Sequence, residues 1–127
     1  MIAGLGIDLV ETARIESVIE RHGHRFLDHV FTAEEQAAAP GPRAAAIYYA
    51  GRWAAKEAVA KALGTGIGTT CAWHDIVVRR GPAGEPLVVL VGRGALTAAG
   101  LGVADIRISI THSGGMAAAI AVAERGP

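Results

Sequence analysis

Cysteine is almost absent from this chain of 127 residues: Cys71 stands alone. No internal disulfide can form, and a reducing compartment is the expectation. No apolar run approaches the roughly 20 residues needed to span a bilayer. The start, Met1-Ile2-Ala3-Gly4-Leu5, lacks the basic region of a secretory leader. A cytoplasmic location without a membrane partner is expected. Net charge is missing too, since 12 Lys and Arg residues balance 12 Asp and Glu. That excludes bulk electrostatic attraction to nucleic acid. Several motifs are also lacking. No lysine follows a glycine-rich loop in the Walker manner, and no strand runs into a dinucleotide fingerprint. Neither Cys71 nor any serine has a nucleophile-elbow context. His22, His24, His29 and His74 do not fall at metal-ligand spacings.

Lysine is scarce as well. Of the twelve basic residues only Lys56 and Lys61 are lysine, and Glu57 sits between them. Residues 44–63 around them are alanine-rich, free of proline and read as one long helix ending at a glycine-rich turn, Gly64 to Gly68. Trp53, Ala54, Ala60 and Lys61 lie three or four residues from Glu57, so Glu57 and Lys61 share a face otherwise made of Trp53 and small residues. An ordinary Glu57–Lys61 surface pair is the simpler interpretation. A carboxylate on an apolar stripe, however, needs a cation to offset its desolvation.

The rest of the chain supplies a partner. Residues 2–10 alternate as a strand, with Ala3, Leu5, Ile7 and Leu9 on one face and Gly4, Gly6, Asp8 and Val10 on the other. Asp8 thus lies on a face lined by glycine, with space beside it. Thr12 is a fair N-cap for a helix over 13–22 that stops at Gly23. Arg14 and Arg21 share a face of that helix, and Arg25 joins them if the turn carries on past Gly23. A solvated face and a docking stripe for an acidic partner are both open. Thr32 to Glu35 has capping-box spacing. A hairpin follows at residues 75–91, a short helix at 94–99, then a strand through Ile106, Ile108 and Ile110 and a return over 116–123. The expected fold is one α+β domain, residues 1–127, with a mostly antiparallel sheet packed against one long central helix plus shorter helices. Two carboxylates from different elements, Asp8 and Glu57, form a hard-oxygen pair suited to Mg²⁺. Lys61 and the glycine turn would face phosphate.

The segments Gly4-Leu5-Gly6-Ile7-Asp8-Leu9-Val10-Glu11 and Gly51-Arg52-Trp53-Ala54-Ala55-Lys56-Glu57-Ala58, running on through Lys61 to Gly66, resemble the bacterial holo-[acyl-carrier-protein] synthases. Ser109-Ile110-Thr111-His112-Ser113 resembles that family's closing strand motif. The resemblance runs nearly the whole length. It implies the 4'-phosphopantetheinyl transferase fold and a role in fatty-acid biosynthesis. The implied reaction is Mg²⁺-dependent transfer of 4'-phosphopantetheine from coenzyme A to a serine of an acidic apo acyl carrier protein, leaving adenosine 3',5'-bisphosphate. By the same resemblance Asp8 and Glu57 would bind the metal, and Lys61 would join them as a catalytic residue. Lys61, Gly64, Thr65, Gly66, Ser109, Thr111 and His112 would contact coenzyme A. Arg14, Arg21 and Arg25 would dock the carrier. A homotrimer with active sites between subunits is also implied. The alternative reaction on the same residues is Mg²⁺-dependent hydrolysis of a nucleotide pyrophosphate, and the non-catalytic alternative is a trimeric scaffold.

Overall fold

The computed structural model describes residues 1–127. Strand β1 (Ile2–Glu11) leads into helices α1 (Thr12–His22), α2 (His24–Val30), α3 (Ala33–Ala37) and the long α4 (Pro42–Ala62). A single 3-10 turn (Trp73–Asp75) precedes the hairpin β2 (Ile76–Arg80) and β3 (Pro86–Leu90). Helix α5 (Gly92–Gly100) and strands β4 (Val103–Ser113) and β5 (Met116–Arg125) complete the chain. The expected α+β architecture is present: an antiparallel sheet of order β1-β5-β4 with α4 across it, and the β2-β3 hairpin as a second sheet.

Two differences from the expected element boundaries have a direct physical cause. Helix α4 starts two residues earlier, because Pro42 takes the first helical position, where its missing N–H goes unused. Thr12 is the first helical residue rather than the cap, since β1 stays paired with β5 as far as Glu11. Its main-chain N–H donates across to the Gly115 carbonyl at 2.9 Å. The Thr32 capping box forms as expected: Glu35 N donates to Thr32 Oγ1 at 3.2 Å, and Thr32 N donates to Glu35 Oε1 at 2.8 Å.

Helix and sheet meet through small residues. The inner face of β5 is Ala117, Ala119, Ala121 and Ala123, all buried. Beside them β1 contributes Gly4 and Gly6. A Cβ at Gly6 would overlap the Ala58 carbonyl oxygen of α4, and one at Gly4 would overlap that of Ala62. The space expected beside Asp8 is therefore filled by the helix backbone. That close approach brings a strand residue and a helix residue of widely separated sequence position within hydrogen-bond reach.

The opposite flank of α4 carries the large side chains. Phe31 is fully buried, with its ring centroid 4.7 Å from that of Tyr49 and 6.0 Å from that of Phe26. Burying a phenylalanine of this kind stabilises the fold by about 1.5–3 kcal/mol. It fixes α2 and α3 against α4. The outer face of the three-stranded sheet is uncovered, with Leu5, Ile7 and Leu9 each more than 60 % exposed and Ile120 43 % exposed.

Candidate functional site

Three of the residues singled out from sequence converge where α4 crosses β1. Lys61 Nζ lies 3.0 Å from Asp8 Oδ1 and also donates to the Ile7 carbonyl at 3.0 Å. The expected local Glu57–Lys61 pair is not what forms: Lys61 turns to the strand, because the glycines of β1 bring Asp8 within reach. Asp8 is largely covered, and its second oxygen, Oδ2, is buried with no hydrogen-bond partner. Such an orphaned carboxylate oxygen is costly unless something else binds it.

Glu57 completes the cluster. Burial raises its carboxyl above the ordinary value of 4.5, the charge of Asp8 raises it further, and Lys61 offsets part of the rise. Two carboxylates thus repel one another around one lysine. No group of three or more His, Cys, Asp or Glu side chains in the fold is placed to hold a metal. A cation here would take two protein carboxylates and leave the rest of its shell to other ligands.

The glycine turn differs from its expected role. The N–H groups of Thr65 and Gly66 donate to the Ala60 carbonyl at 3.1 and 3.2 Å, and that of Gly64 donates to Lys61 at 2.9 Å. The Thr65 hydroxyl donates to the Gly66 carbonyl at 2.7 Å. These donors close the end of α4, where unpaired carbonyls need them, so none of the three amides is free to cradle phosphate.

Ser109 and Thr111 lie elsewhere. In the sheet Ser109 pairs across Ile120 to Ile7, and Thr111 across Ala118 to Leu9. They share the exposed outer face with those residues, whereas Asp8 pairs across Ala119 to Ile110 on the α4 side. Within one chain Ser109 and Thr111 therefore face away from Asp8 and Glu57. His112 pairs with Ala117 at the rim of the β4-β5 hairpin and is exposed.

Arg14 and Arg21 are exposed on α1. Gly23, at φ 52°, ends that helix, so Arg25 belongs to α2 and does not continue the stripe by helical phase. Instead Arg25 joins His22 and His29 around Phe26 in a pocket of about 320 Å³.

Two features were missed from sequence. Lys56 is fully buried against Glu35, at 2.7 Å. Arg52 lies with its guanidinium carbon 4.2 Å over the Tyr48 ring, and its Nε is buried without a partner. Tyr48, Arg52, Arg79 and Arg80 line a pocket of about 300 Å³. Arg79 is tied to Glu34 at 2.8 Å, while Arg80 makes no ion pair. The four-residue spacing of Tyr48 and Arg52 along the helix was the available signal for the second feature. Cys71 is inert here, its thiol pushed up to about 11 by burial.

Residues 4–121 match the family model of the 4'-phosphopantetheinyl transferase superfamily. The holo-[acyl-carrier-protein] synthase of Desulforudis audaxviator is 47 % identical over 123 residues, covering 97 % of this chain and 93 % of that protein. That of Rhodopseudomonas palustris is 47 % identical over 131 residues, covering 96 % and 94 %. The crystal structure of the Neisseria meningitidis holo-[acyl-carrier-protein] synthase superposes with a TM-score of 0.89 at 30 % identity, over 98 % of this chain and 100 % of that one. The Helicobacter pylori enzyme, solved in complex with coenzyme A, gives 0.84 at 31 % identity, over 94 % and 99 %. The chain belongs to the 4'-phosphopantetheinyl transferase superfamily, among its holo-[acyl-carrier-protein] synthases. It is an enzyme of the transferase class.

Proposed function

We propose that this enzyme, acting as one domain over residues 1–127, moves the 4'-phosphopantetheine arm of coenzyme A onto a serine hydroxyl of an apo acyl carrier protein. Adenosine 3',5'-bisphosphate is the other product. The observation that carries the reading is the buried, unpartnered Asp8 Oδ2 beside a Glu57 whose carboxyl is held high by burial and by Asp8 itself. That pair fits a hard divalent cation, which would satisfy the free oxygen and offset the repulsion between the two carboxylates. Mg²⁺ suits two carboxylates with the remaining positions left to water and phosphate. When bound, it supplies charge neutralisation at the coenzyme A pyrophosphate.

The chain's own residues do the rest. Asp8 and Glu57 would hold the cation. Lys61, anchored by Asp8 and the Ile7 carbonyl, keeps a positive charge at the edge of the site for the phosphates. Arg52, with its unpartnered Nε, and Arg80 are suited to a further phosphate of the same nucleotide. At the glycine turn, Gly64, Thr65 and Gly66 offer close approach rather than amide donors. Arg14 and Arg21 on α1, with Arg25 on α2, dock the acidic carrier.

Ser109 and Thr111 reach coenzyme A from a neighbouring chain. The support is their position on the same sheet face as the exposed Leu5, Ile7, Leu9 and Ile120. A contiguous apolar face of this kind marks an interaction surface, and a homotrimer that covers it brings those polar side chains to a partner's site. His112 alternates onto the other face of β4, at the exposed rim of the sheet, and contacts coenzyme A from there.

Incubation with coenzyme A and Mg²⁺, with and without apo carrier protein, tests the reaction class. Adenosine 3',5'-bisphosphate released only when carrier is present is the expected result. Release at the same rate without carrier would instead indicate pyrophosphate hydrolysis.

A further inference from the structure

Lys56 precedes Glu57 in sequence but points to the other side of α4. All three of its ammonium protons are used: by the Val30 carbonyl at 2.8 Å, the Trp73 carbonyl at 3.0 Å and Glu35 Oε1 at 2.7 Å. Glu35 is as deeply buried. Its Oε1 also accepts from Thr32 N, its Oε2 accepts from Val78 N at 2.7 Å, and its main-chain carbonyl accepts from the Tyr48 hydroxyl at 2.6 Å. One ion pair therefore joins the end of α2, the cap of α3, the middle of α4, the 3-10 turn and β2.

Stability alone does not explain the pair. Apolar residues of similar volume often serve as well or better at such positions. What an ion pair with these hydrogen bonds adds is a defined geometry. Val30 is the last residue of α2, whose end carbonyls lack intrahelical donors. Lys56 supplies a donor and a positive charge there, favourable at a helix C-terminus. Helix α2 also carries Arg25 and His29, and His74 Nε2 makes a second tie to its Asp28 carbonyl at 2.7 Å. On the other side, Trp73 stacks on Trp53, with ring centroids 5.8 Å apart. Trp53 lies one helical turn before Glu57.

We propose that Glu35 and Lys56 are positioning residues that fix α2, and with it the carrier-docking Arg25, relative to Glu57. This rests on the transferase and docking reading above. The pair acts on the protein substrate's placement and not on the cation or the nucleotide.

The test uses the double variant Glu35→Gln/Lys56→Met, which removes both charges together and leaves no buried ion unpaired. Binding of adenosine 3',5'-bisphosphate with Mg²⁺ is measured by calorimetry in the absence of carrier. The carrier kcat/KM is measured by transfer kinetics. Nucleotide binding is expected to stay within about twofold of wild type, while carrier kcat/KM falls about tenfold or more, as for a misplaced reactant. Arg25→Glu should lower carrier kcat/KM strongly in the wild type and much less in the double variant, because the two act through one arrangement. If the double variant does not fold, Thr32→Ala, which keeps both charges and removes the hydroxyl that accepts from Glu35 N at 3.2 Å, should show the same pattern with a smaller amplitude. Equal losses of nucleotide binding and carrier kcat/KM would overturn the proposal, as would an Arg25→Glu effect that simply adds. Arg25→Glu without effect on the wild type would overturn the docking reading itself, and the proposal with it.

Discussion

Lys61 Nζ sits 3.0 Å from Asp8 Oδ1, a contact between the last turn of α4 and the middle of β1. It leaves Asp8 Oδ2 buried and unpartnered. Half of the aspartate is thus committed to the lysine and half is available to a cation. Glu57→Gln and Asp8→Asn should each lower turnover by about a hundredfold or more, the scale of losing one preorganised electrostatic contact. Both variants should keep wild-type circular dichroism. Undiminished turnover in Glu57→Gln would leave Glu57 with a structural role only.

The raised carboxyl of Glu57 fixes the sign of a pH effect. Its folded pKa lies above the unfolded value, so the folded state holds this proton more tightly. In metal-free protein this contribution to stability is fully present below the ordinary value of 4.5 and is lost as pH rises through the raised folded value. Mg²⁺ needs the carboxylate, so its affinity should climb over the same window. Thermal melts of metal-free protein across that range should show a downward slope that Glu57→Gln removes, and calorimetry should show proton release on Mg²⁺ binding.

Gly6 tests the geometry that joins helix to strand. Gly6→Ala puts a methyl group against the Ala58 carbonyl, where backbone rather than a flexible side chain must move. A loss of about 1–3 kcal/mol is expected, typical of an overpacked contact. Mg²⁺-dependent nucleotide binding should weaken with it as Asp8 separates from α4. Denaturant titration and calorimetry on the same variant report both.

The outer sheet face predicts a different phenotype. Ile7 is 67 % exposed in the single chain, so Ile7→Asp should change the stability of a chain by no more than about 0.5 kcal/mol. Analytical ultracentrifugation should nonetheless show dissociation to monomers. Turnover should fall as Ser109 and Thr111 leave the neighbouring site. An unchanged oligomer would contradict the assignment of this face.

Charge on α1 should act on encounter. Arg14→Glu is expected to slow carrier association and flatten its dependence on ionic strength, with little effect on nucleotide binding. Stopped-flow association at two salt concentrations checks it.

Much of this was legible in the chain itself, for reasons tied to local pattern. The alternation in β1 put Gly4, Gly6 and Asp8 on one face, and helical spacing put Glu57 and Lys61 on another. Two small-residue faces could then be expected to pack. The long-range partners could not be read in the same way. Lys61 was paired with Glu57 because an i,i+4 contact shows in sequence, whereas reach to Asp8 depends on how closely the glycines admit the helix. Glu35 looked like a capping residue, which it is. Nothing local indicated that its carboxylate also buries Lys56. The amides of Gly64, Thr65 and Gly66 read as free donors, but a helix end consumes them. Ser109 and Thr111 face away from Asp8 because strand alternation puts them opposite Ile110.

The most direct measurement of the central claim is the intact mass of an apo acyl carrier protein after incubation with this enzyme, coenzyme A and Mg²⁺. Wild type should add one phosphopantetheine per carrier, and at equal times a chelator or Glu57→Gln should cut the addition by about a hundredfold or more. A carrier of unchanged mass with active-site residues intact, or modification undiminished in Glu57→Gln, would contradict the account.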